Sequence, residues 1–318
     1  SLPDTLVAGD YTVGLQVTDS NGCTATTSTT VTVRAAPAGD IAAENVCQGA
    51  VLSLDGSGSS AVAEGATIDA YAWDLDGDGA YEDAAGPGTS LPDTATAGDY
   101  LISLLVTDSQ GCTDTVSTTV TVFAKPTGVI KTAPVCEDNA VMLNGSDSEV
   151  NQAGTTIASF EWDLNSDGAY DDETTPVAKL PSTTPAGEYS VGLKITDSNG
   201  CEAFASEAAV IFAKPTPEIV AEEVCEGESL TLDGSTSTAN QLDATIASFL
   251  WDLNNDGEFD DASGAAANLP GSTSAGEYVV GLKVNDSNGC QEQKVTTVNI
   301  FARPDSAEVV IDYDGETL

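Results

Sequence analysis

Residues Asp99–Cys112 read DYLISLLVTDSQGC, and Val116–Ala124 read VSTTVTVFA. In the first stretch apolar and polar side chains alternate until a Ser-Gln-Gly turn signal. The second alternates in the same way and is rich in Val and Thr. A period of two sends successive side chains to opposite faces of a sheet, and β-branched residues suit that pleated surface. Two such runs parted by a Gly-containing turn predict an antiparallel hairpin. Outward from it, VLSLDGS (51–57) reads as a short strand entering a Gly/Ser turn, and AYAWDL (70–75) as another. No sustained helical periodicity interrupts the pattern. Roughly seven short strands per about 90 residues predict a Greek-key β-sandwich of the immunoglobulin kind.

The hairpin recurs. Cys23, Cys112, Cys201 and Cys290 each follow a glycine and stand 89 residues apart. Cys47, Cys136 and Cys225 keep the same step of 89, as do Trp73, Trp162 and Trp251. So do Tyr11, Tyr100, Tyr189 and Tyr278, each in AGDY or AGEY, and Pro37, Pro126, Pro215 and Pro304. A fixed period marks an array of one structural unit. The predicted architecture is therefore all-β: tandem immunoglobulin-like sandwich repeats of 89 residues in a linear array. Residues 1–36 are the C-terminal half of a repeat; 37–125, 126–214 and 215–303 are whole repeats; 304–318 start another. Equal copy lengths point to recent duplication or a strict geometric demand. The Trp is expected in the core on the third strand. The Tyr falls where a tyrosine corner would, at the start of the sixth. Residue 1 does not read as a natural start, because it opens in mid-unit.

Charge narrows the function classes. The 318 residues carry 51 acids, 9 Lys+Arg and no His, for a formal net charge of −42. Such a field repels nucleic acid and anionic membranes and attracts divalent cations. Without His, the commonest general base and the usual zinc ligand are missing, and a Ser-His-Asp arrangement is impossible. The chain reads as a non-enzyme. A hydrophobic content of 41% excludes a wholly disordered acidic chain. No apolar run is long enough to span a bilayer, and no signal peptide is evident.

The stretch WDLDGDGAYED (73–83) concentrates acid: Asp74, Asp76, Asp78, Glu82 and Asp83 fall within ten residues. The three copies align as DLDGDGAYED (74–83), DLNSDGAYDD (163–172) and DLNNDGEFDD (252–261). Calcium takes about six to eight hard oxygen ligands from alternating positions around a tight turn. The first, third and fifth positions supply side-chain oxygens, the sixth is Gly, the seventh offers its carbonyl, and the ninth and tenth add acids. The candidate ligands are Asp74, Asp76, Asp78, Ala80, Glu82 and Asp83 in the first loop. In the second they are Asp163, Asn165, Asp167, Ala169, Asp171 and Asp172. In the third they are Asp252, Asn254, Asp256, Glu258, Asp260 and Asp261. The expected cofactor is Ca2+, about one per loop. The loop departs from an EF-hand: the twelfth position is Ala85 rather than Glu, and the flanks are strands. It is closer in form to the shorter Asp-rich loops of dockerins and thrombospondin-type repeats. Magnesium fits less well because it demands a tighter octahedron. The competing reading is a solvated acidic loop without an ion.

WDLDGDG followed by AGDYLISLLVTDSQGC resembles the PKD-type immunoglobulin-like repeat, named for polycystic kidney disease protein. That family commonly shows W-D-F-G-D-G and then G-x-Y-x-V-x-L-x-V-x-D. The cysteines resemble those of Cys-bearing versions in surface, gliding and adhesion proteins of Bacteroidota. The resemblance covers the whole chain and implies an extracellular, cell-surface setting. Leu75, Leu164 and Leu253 depart from it in place of Phe, and the acidic loop is longer.

Seven cysteines in a secreted-looking chain point to disulfides. Cys47 precedes the second strand at one end of the sandwich, and Cys112 follows the sixth at the other. That separation is ~20–30 Å, beyond the ~7 Å between Cα atoms that a disulfide allows. Pairs between successive copies, Cys47–Cys201 and Cys136–Cys290, fit better. Pairing within a unit stays open, because the second strand's boundary could lie elsewhere, and so do free thiols. Cys23, Cys112 and Cys225 would find partners outside this chain segment, and the position matching Cys225 in the last partial unit is Asp314. Lys125, Lys214 and Arg303 precede linker prolines; pairing with acids across the joint stays open, and a plain solvated cation is the favoured reading. DTL (4–6), DTA (93–95), DTV (114–116) and DSA (305–307) resemble the Bacteroidota O-glycosylation motif. Asn144 and Asn285 open N-glycan sequons.

The leading expectation is a structural extracellular array: a calcium-rigidified shaft of a bacterial adhesin, stalk or filament. The short linkers FAKPT (123–127 and 212–216) and FARPD (301–305) leave little slack between units. Expected partners are neighbouring repeats or copies of itself in a fibre, and glycans, with no nucleic acid and no membrane insertion. The alternative is a polysaccharide- or surface-binding spacer of a secreted hydrolase. That reading calls for an exposed aromatic platform, whereas aromatics are 6% of the chain and recur at core positions.

Overall fold

The computed structural model describes residues 6–304. The partial repeat expected at 304–318 lies outside the described residues apart from Pro304, as do Asp314, the DSA segment and all of DTL but Leu6. The described residues are all-β, with no α-helix. None of them forms a helix long and apolar enough to cross a membrane.

The chain forms two compact units. The first comprises Ser1–Gly128, Ser148–Phe160 and Lys194–Phe204; the second comprises Val129–Asp147, Glu161–Leu193 and Ala205–Leu318.

In the first unit, the stretch that opened the sequence reading is the hairpin it predicts. Gly98–Asp108 pairs antiparallel with Thr113–Phe123, from Gly98↔Val122 to Thr107↔Thr113. A five-stranded sheet runs Val46–Cys47, Thr113–Phe123, Gly98–Asp108, Ile68–Asp74, Ala84–Ala85. The first strand of that order is parallel to its neighbour, with Val46 opposite Val122 and Cys47 opposite Phe123. A second sheet runs Ala42–Ala43, Leu52–Asp55, Gly88–Leu91. The inward side chains of both sheets meet in one core of Leu52, Leu54, Trp73, Leu91, Ile102, Leu104, Val106, Val120 and Val122. Trp73 is 0% exposed, and its Nε1 donates to the Gly86 carbonyl at 2.9 Å. Gly56 crosses over this indole. A Cβ there would stand 2.7 Å from Leu104 Cδ2 and 3.2 Å from Trp73 Cζ2, so any larger residue would have to displace core side chains.

The second unit repeats the plan. Its five-stranded sheet runs Val224–Cys225, Gln291–Phe301, Gly276–Asp286, Ile246–Asp252, Ala262–Ser263, beside a sheet of Val220–Ala221, Leu230–Asp233 and Ala266–Leu269. Trp251 fills its core, and Trp162, in the same unit, is equally buried. The unit also contains the Val141–Asn144/Val177–Leu180 pair and the parallel pair Val135–Cys136 with Ile211–Phe212. Tandem immunoglobulin-like sandwiches are thus the fold of this protein.

The repeated tyrosine makes the corner contact in every copy. The hydroxyls of Tyr11, Tyr100, Tyr189 and Tyr278 donate to the carbonyls of Val7, Thr96, Pro185 and Ser274, each four residues upstream, at 2.8–2.9 Å. Tyr278→Phe keeps the ring and removes only the donor. It is expected to lower unfolding stability by about 1 kcal/mol, read from urea denaturation. A loss below about 0.3 kcal/mol would show that the ring alone does the work.

Candidate functional site

Each acidic loop starts where the Trp strand ends. Its first residue (Asp74, Asp163 or Asp252) is buried at 3–7% exposure, and the rest of the loop is mostly exposed. Local backbone chemistry shapes it. Gly79, Gly168 and Gly257, at the sixth position, have φ of +85° to +89°, as the turn reading requires. The fourth position is left-handed as well, and there Gly77 is replaced by Ser166 (φ 59°) and Asn255 (φ 59°). The loop is tied back to its strand by Asp83 N, Asp172 N and Asp261 N, which donate to the carbonyls of Trp73, Trp162 and Trp251 at 3.0–3.2 Å. The aromatic at the eighth position also anchors it. Phe259 lies 3.0 Å from where a Cβ on Gly281 would stand, and Tyr170 likewise at Gly192. These rings pack on bare strand backbone, a role the sequence reading missed.

The carboxylates are met by amide N–H groups of their own loop. In the first, Gly77 N and Gly79 N donate to the two oxygens of Asp74 at 2.7 and 3.0 Å. Leu75 N and Asp76 N donate to Asp83 Oδ2. Asp78 N donates to Asp76, and Ala80 N to Asp78. Equivalent bonds hold the third loop, through Asn255 N and Gly257 N to Asp252 and Glu258 N to Asp256. In the second loop Gly168 N reaches Asp163 Oδ2, while Asp163 Oδ1 is buried with no hydrogen-bond partner. Backbone dipoles therefore offset much of the repulsion among the acids.

The three loops differ at the third position. In the first, single carboxylate oxygens of Asp74, Asp76 and Asp83 all lie within 4.8 Å of one another. Asp78 and Glu82 are not part of that cluster. In the other two, Asn165 and Asn254 replace Asp76. Their Nδ2 atoms donate to Asp172 Oδ1 (3.4 Å) and Asp261 Oδ1 (3.2 Å), so an amide hydrogen sits where the first loop sets acid against acid. The cluster fits a hard divalent cation in oxygen content.

Four of the seven cysteines are paired. Cys47 bonds Cys201 and Cys136 bonds Cys290, with Cα–Cα distances of 5.5 and 5.6 Å, each across 154 residues. Cys23, Cys112 and Cys225 are free thiols. In the three whole copies the Gly-Cys turn is preset by a buried acid at the end of the long strand, Asp108, Asp197 or Asp286. Asp197 Oδ1 accepts from Asn199 N and Cys201 N, and Asp286 Oδ1 from Asn288 N and Cys290 N. Asp108 holds Cys112 in the same way.

Lys214 is not the solvated cation expected from its place before a linker proline. Its Nζ lies 2.7 Å from Asp138 and 3.3 Å from Glu292, two residues beyond Cys290. The hydrogen bond that Lys214 Nζ donates to Asp138 leads in raising the Lys214 pKa above its ordinary value. Asp138 adopts φ 69°, where the other copies carry Gly49 and Gly227. Arg303 approaches Glu228 at 3.8 Å, a loose exposed pair. The sequon residue Asn285 is occupied, its Nδ2 donating to Ser248 Oγ at 2.7 Å.

A further linker device has no motif that announces it. Asn151 Nδ2 donates to the Lys125 carbonyl and Thr127 Oγ1, and Gln152 Oε1 accepts from Ala124 N. One period later Asn240 and Gln241 do the same to Lys214, Thr216 and Ala213. The matching residues of the preceding copy are Val62 and Ala63, which offer no such groups.

A family model described as PKD domain matches residues 212–300, a stretch as long as the repeat. The mouse (Mus musculus) dyslexia-associated protein KIAA0319-like protein is 29% identical over 230 residues, covering 65% of this chain and 21% of the relative. The rat (Rattus norvegicus) dyslexia-associated protein KIAA0319 homolog is 27% identical over 332 residues, covering 93% of this chain and 29% of the relative. The chain thus spans less than a third of the length of the curated relatives it matches. Among solved structures, the PKD1 domain of Vibrio anguillarum Epp is 26% identical, with a TM-score of 0.24, covering 28% of this chain and 96% of that one.

Proposed function

We propose that this chain is a segment of an extracellular PKD-type array that serves as a load-bearing shaft. The repeats are those read from the period: 37–125, 126–214 and 215–303, flanked by partial copies at 1–36 and 304–318. The observation that carries the proposal is the pair of disulfides Cys47–Cys201 and Cys136–Cys290, each joining one 89-residue copy to the next. A disulfide between copies restrains their mutual freedom, and by closing a loop of 154 residues it also stabilises the folded state that holds both cysteines. The Asn151–Gln152 and Asn240–Gln241 clamps act on the same short linkers. Persistent disulfides need an oxidising compartment, which favours the cell surface or beyond. The buried state of Trp73, Trp162 and Trp251 argues against the binding-spacer reading, which needs exposed aromatics.

Calcium is the second part of the proposal. Asp74, Asp76 and Asp83 would hold the ion in the first loop, with Asp78, Glu82 and the Ala80 carbonyl completing the oxygen set. Asp163, Asn165, Asp167, Ala169, Asp171 and Asp172, and Asp252, Asn254, Asp256, Glu258, Asp260 and Asp261, would do so in the others. The ion would supply positive charge to a −42 chain and stiffen the loop. A bacterial adhesin, stalk or filament is the setting in which such a shaft is useful, with other copies or glycans as its contacts. Titrating calcium into the protein by calorimetry is expected to show binding near one ion per loop, with chelator lowering the melting temperature. Absence of heat and of any chelator effect at millimolar calcium would leave the loops as amide-satisfied acid and the shaft resting on its disulfides.

A further inference from the structure

Lys283 is a cation without a counter-ion. The chain has 51 acids for 9 Lys+Arg, so a cation has many acids to choose from. One period earlier Lys194 finds one, its Nζ lying 3.6 Å from Glu202. The residue that matches Glu202 near Lys283 is Gln291. The residues directly opposite Lys283 in the sheet are Leu250 and Gln293, both uncharged. Lys283 is half-buried and makes no ion pair among the described residues.

Lys283 lines a cavity of about 400 Å3 whose walls lie wholly within the second unit. It shares the cavity with Cys136, Asn139, Lys214, Gln291 and Gln293. The Cys136–Cys290 bond fixes Cys136 to the residue before Gln291. Lys214 is already matched by Asp138 and Glu292, which leaves Lys283 as the uncompensated charge. The side-chain amides of Gln291 and Gln293 have no hydrogen-bond partner among the described residues. Asn139 donates through Nδ2 to the carbonyls of Cys136 and Glu137 and keeps Oδ1 as an acceptor. The matching cavity one period earlier is about 250 Å3, with Ala50, Glu202 and Phe204 where this one has Asn139, Gln291 and Gln293. An acid and two apolar side chains have given way to three amides.

We propose that this cavity binds a sugar acid of the uronate class, its carboxylate on Lys283 and its hydroxyls on the amides of Gln291, Gln293 and Asn139. One uncompensated ammonium matches one carboxylate. Amides both donate and accept, as ring hydroxyls do. An acidic peptide would bring several charges into the field of a −42 chain, whereas a single uronate brings one. The volume is at the lower end of small-ligand sites, roughly 300–1,000 Å3, and suits one ring. Recognition by a charge and amides needs no aromatic platform, so the buried tryptophans do not count against it.

The test titrates sodium glucuronate into the whole 318-residue protein, in calcium-free buffer at constant ionic strength, and follows NMR chemical shifts. Saturable binding in the millimolar range is expected. Lys283→Gln should weaken it at least about tenfold, and Lys131→Gln, which alters an exposed lysine outside the cavity, should leave it unchanged. Gln291→Glu should abolish it by giving Lys283 the partner that Lys194 has, and the preceding copy folds with Glu at that position. Glucose and acetate should each bind at least about tenfold more weakly than glucuronate. Shifts that never saturate, or binding indifferent to Lys283→Gln or Gln291→Glu, would overturn the proposal. Acetate as tight as glucuronate would reduce the site to one for a bare carboxylate. Tighter binding of hexaglutamate would assign it to an acidic protein. Either result overturns the uronate assignment.

Discussion

Replacing Cys136 and Cys290 together with serine is expected to lower the unfolding stability of the second unit by about 4 kcal/mol, measured by guanidinium denaturation. The size follows from chain entropy. A bond between residues 154 apart removes much of the freedom of the unfolded chain, and the effect grows with the logarithm of loop length. The folded state should change little, because Asp286 holds the turn through backbone N–H groups that serine retains. Neighbouring electrostatics cannot make up the loss. Lys214 and its acids are partly exposed, and such pairs contribute about 0–1 kcal/mol. Reducing the native protein should reproduce the shift, and Cys47→Ser with Cys201→Ser should move it to the first unit. A loss under about 1 kcal/mol would mean that the Asn240–Gln241 clamp and core contacts already fix this geometry, and the cross-link would lose its place in the shaft argument.

The parts legible in the sequence were those whose cause is local or periodic. Alternation gave the 98–123 hairpin, and the step of 89 carried it to every copy. Trp73 and Tyr100 could be placed because a strand has only two faces and a corner tyrosine has a fixed position relative to its strand. The strand ends that the cysteines occupy favoured Cys47–Cys201 and Cys136–Cys290 over two readings left open, and those are the pairs observed. Contacts closed over distance were not legible. Asn151 and Gln152 reach groups 24 to 28 residues away, and although the Asn-Gln pair recurs one period later, nothing local in it announces those partners. Nothing in the sequence singles out Asp108, Asp197 and Asp286, yet they are 1–2% exposed. Beside Asp108, Ser109 N bonds Thr67 O and Gln110 Nε2 bonds Glu64 O, contacts that join segments more than 40 residues apart.

The acidic loops divide along the same line. Their composition announced repulsion in need of an answer, and a cation was the answer sequence could offer. The fold adds another: amide hydrogens aimed at carboxylates. The two are compatible, since an oxygen can accept an N–H bond and still bind a metal. They weigh differently in each copy. Where Asn254 stands, its own Nδ2 bridges to Asp261; where Asp76 stands, the ionised side chain has no hydrogen to offer Asp83. The first loop should therefore be the tightest of the three for calcium.

Trp251→Ala is expected to remove about 4 kcal/mol from the second unit, read from denaturation at fixed calcium. The indole is 0% exposed and packs between the two sheets, so truncation leaves a cavity that Leu230, Leu232 and Leu282 cannot collapse into without leaving their strand register. Its Nε1 also donates to the Gly264 carbonyl at 2.9 Å. Trp251→Phe separates the two effects. The ring remains apolar, the carbonyl loses its donor, and a loss of about 1–2 kcal/mol is expected beyond the small volume change. The consequence reaches the acidic loop, because Trp251 is the residue before Asp252 and its carbonyl takes the bond from Asp261 N that closes the loop. Trp251→Ala should thus speed proteolysis within 253–261 before global unfolding, whereas Trp251→Phe should not. If both variants left cleavage there unchanged, the loop would be held by its own amide bonds alone, and its coupling to the core would have to be abandoned.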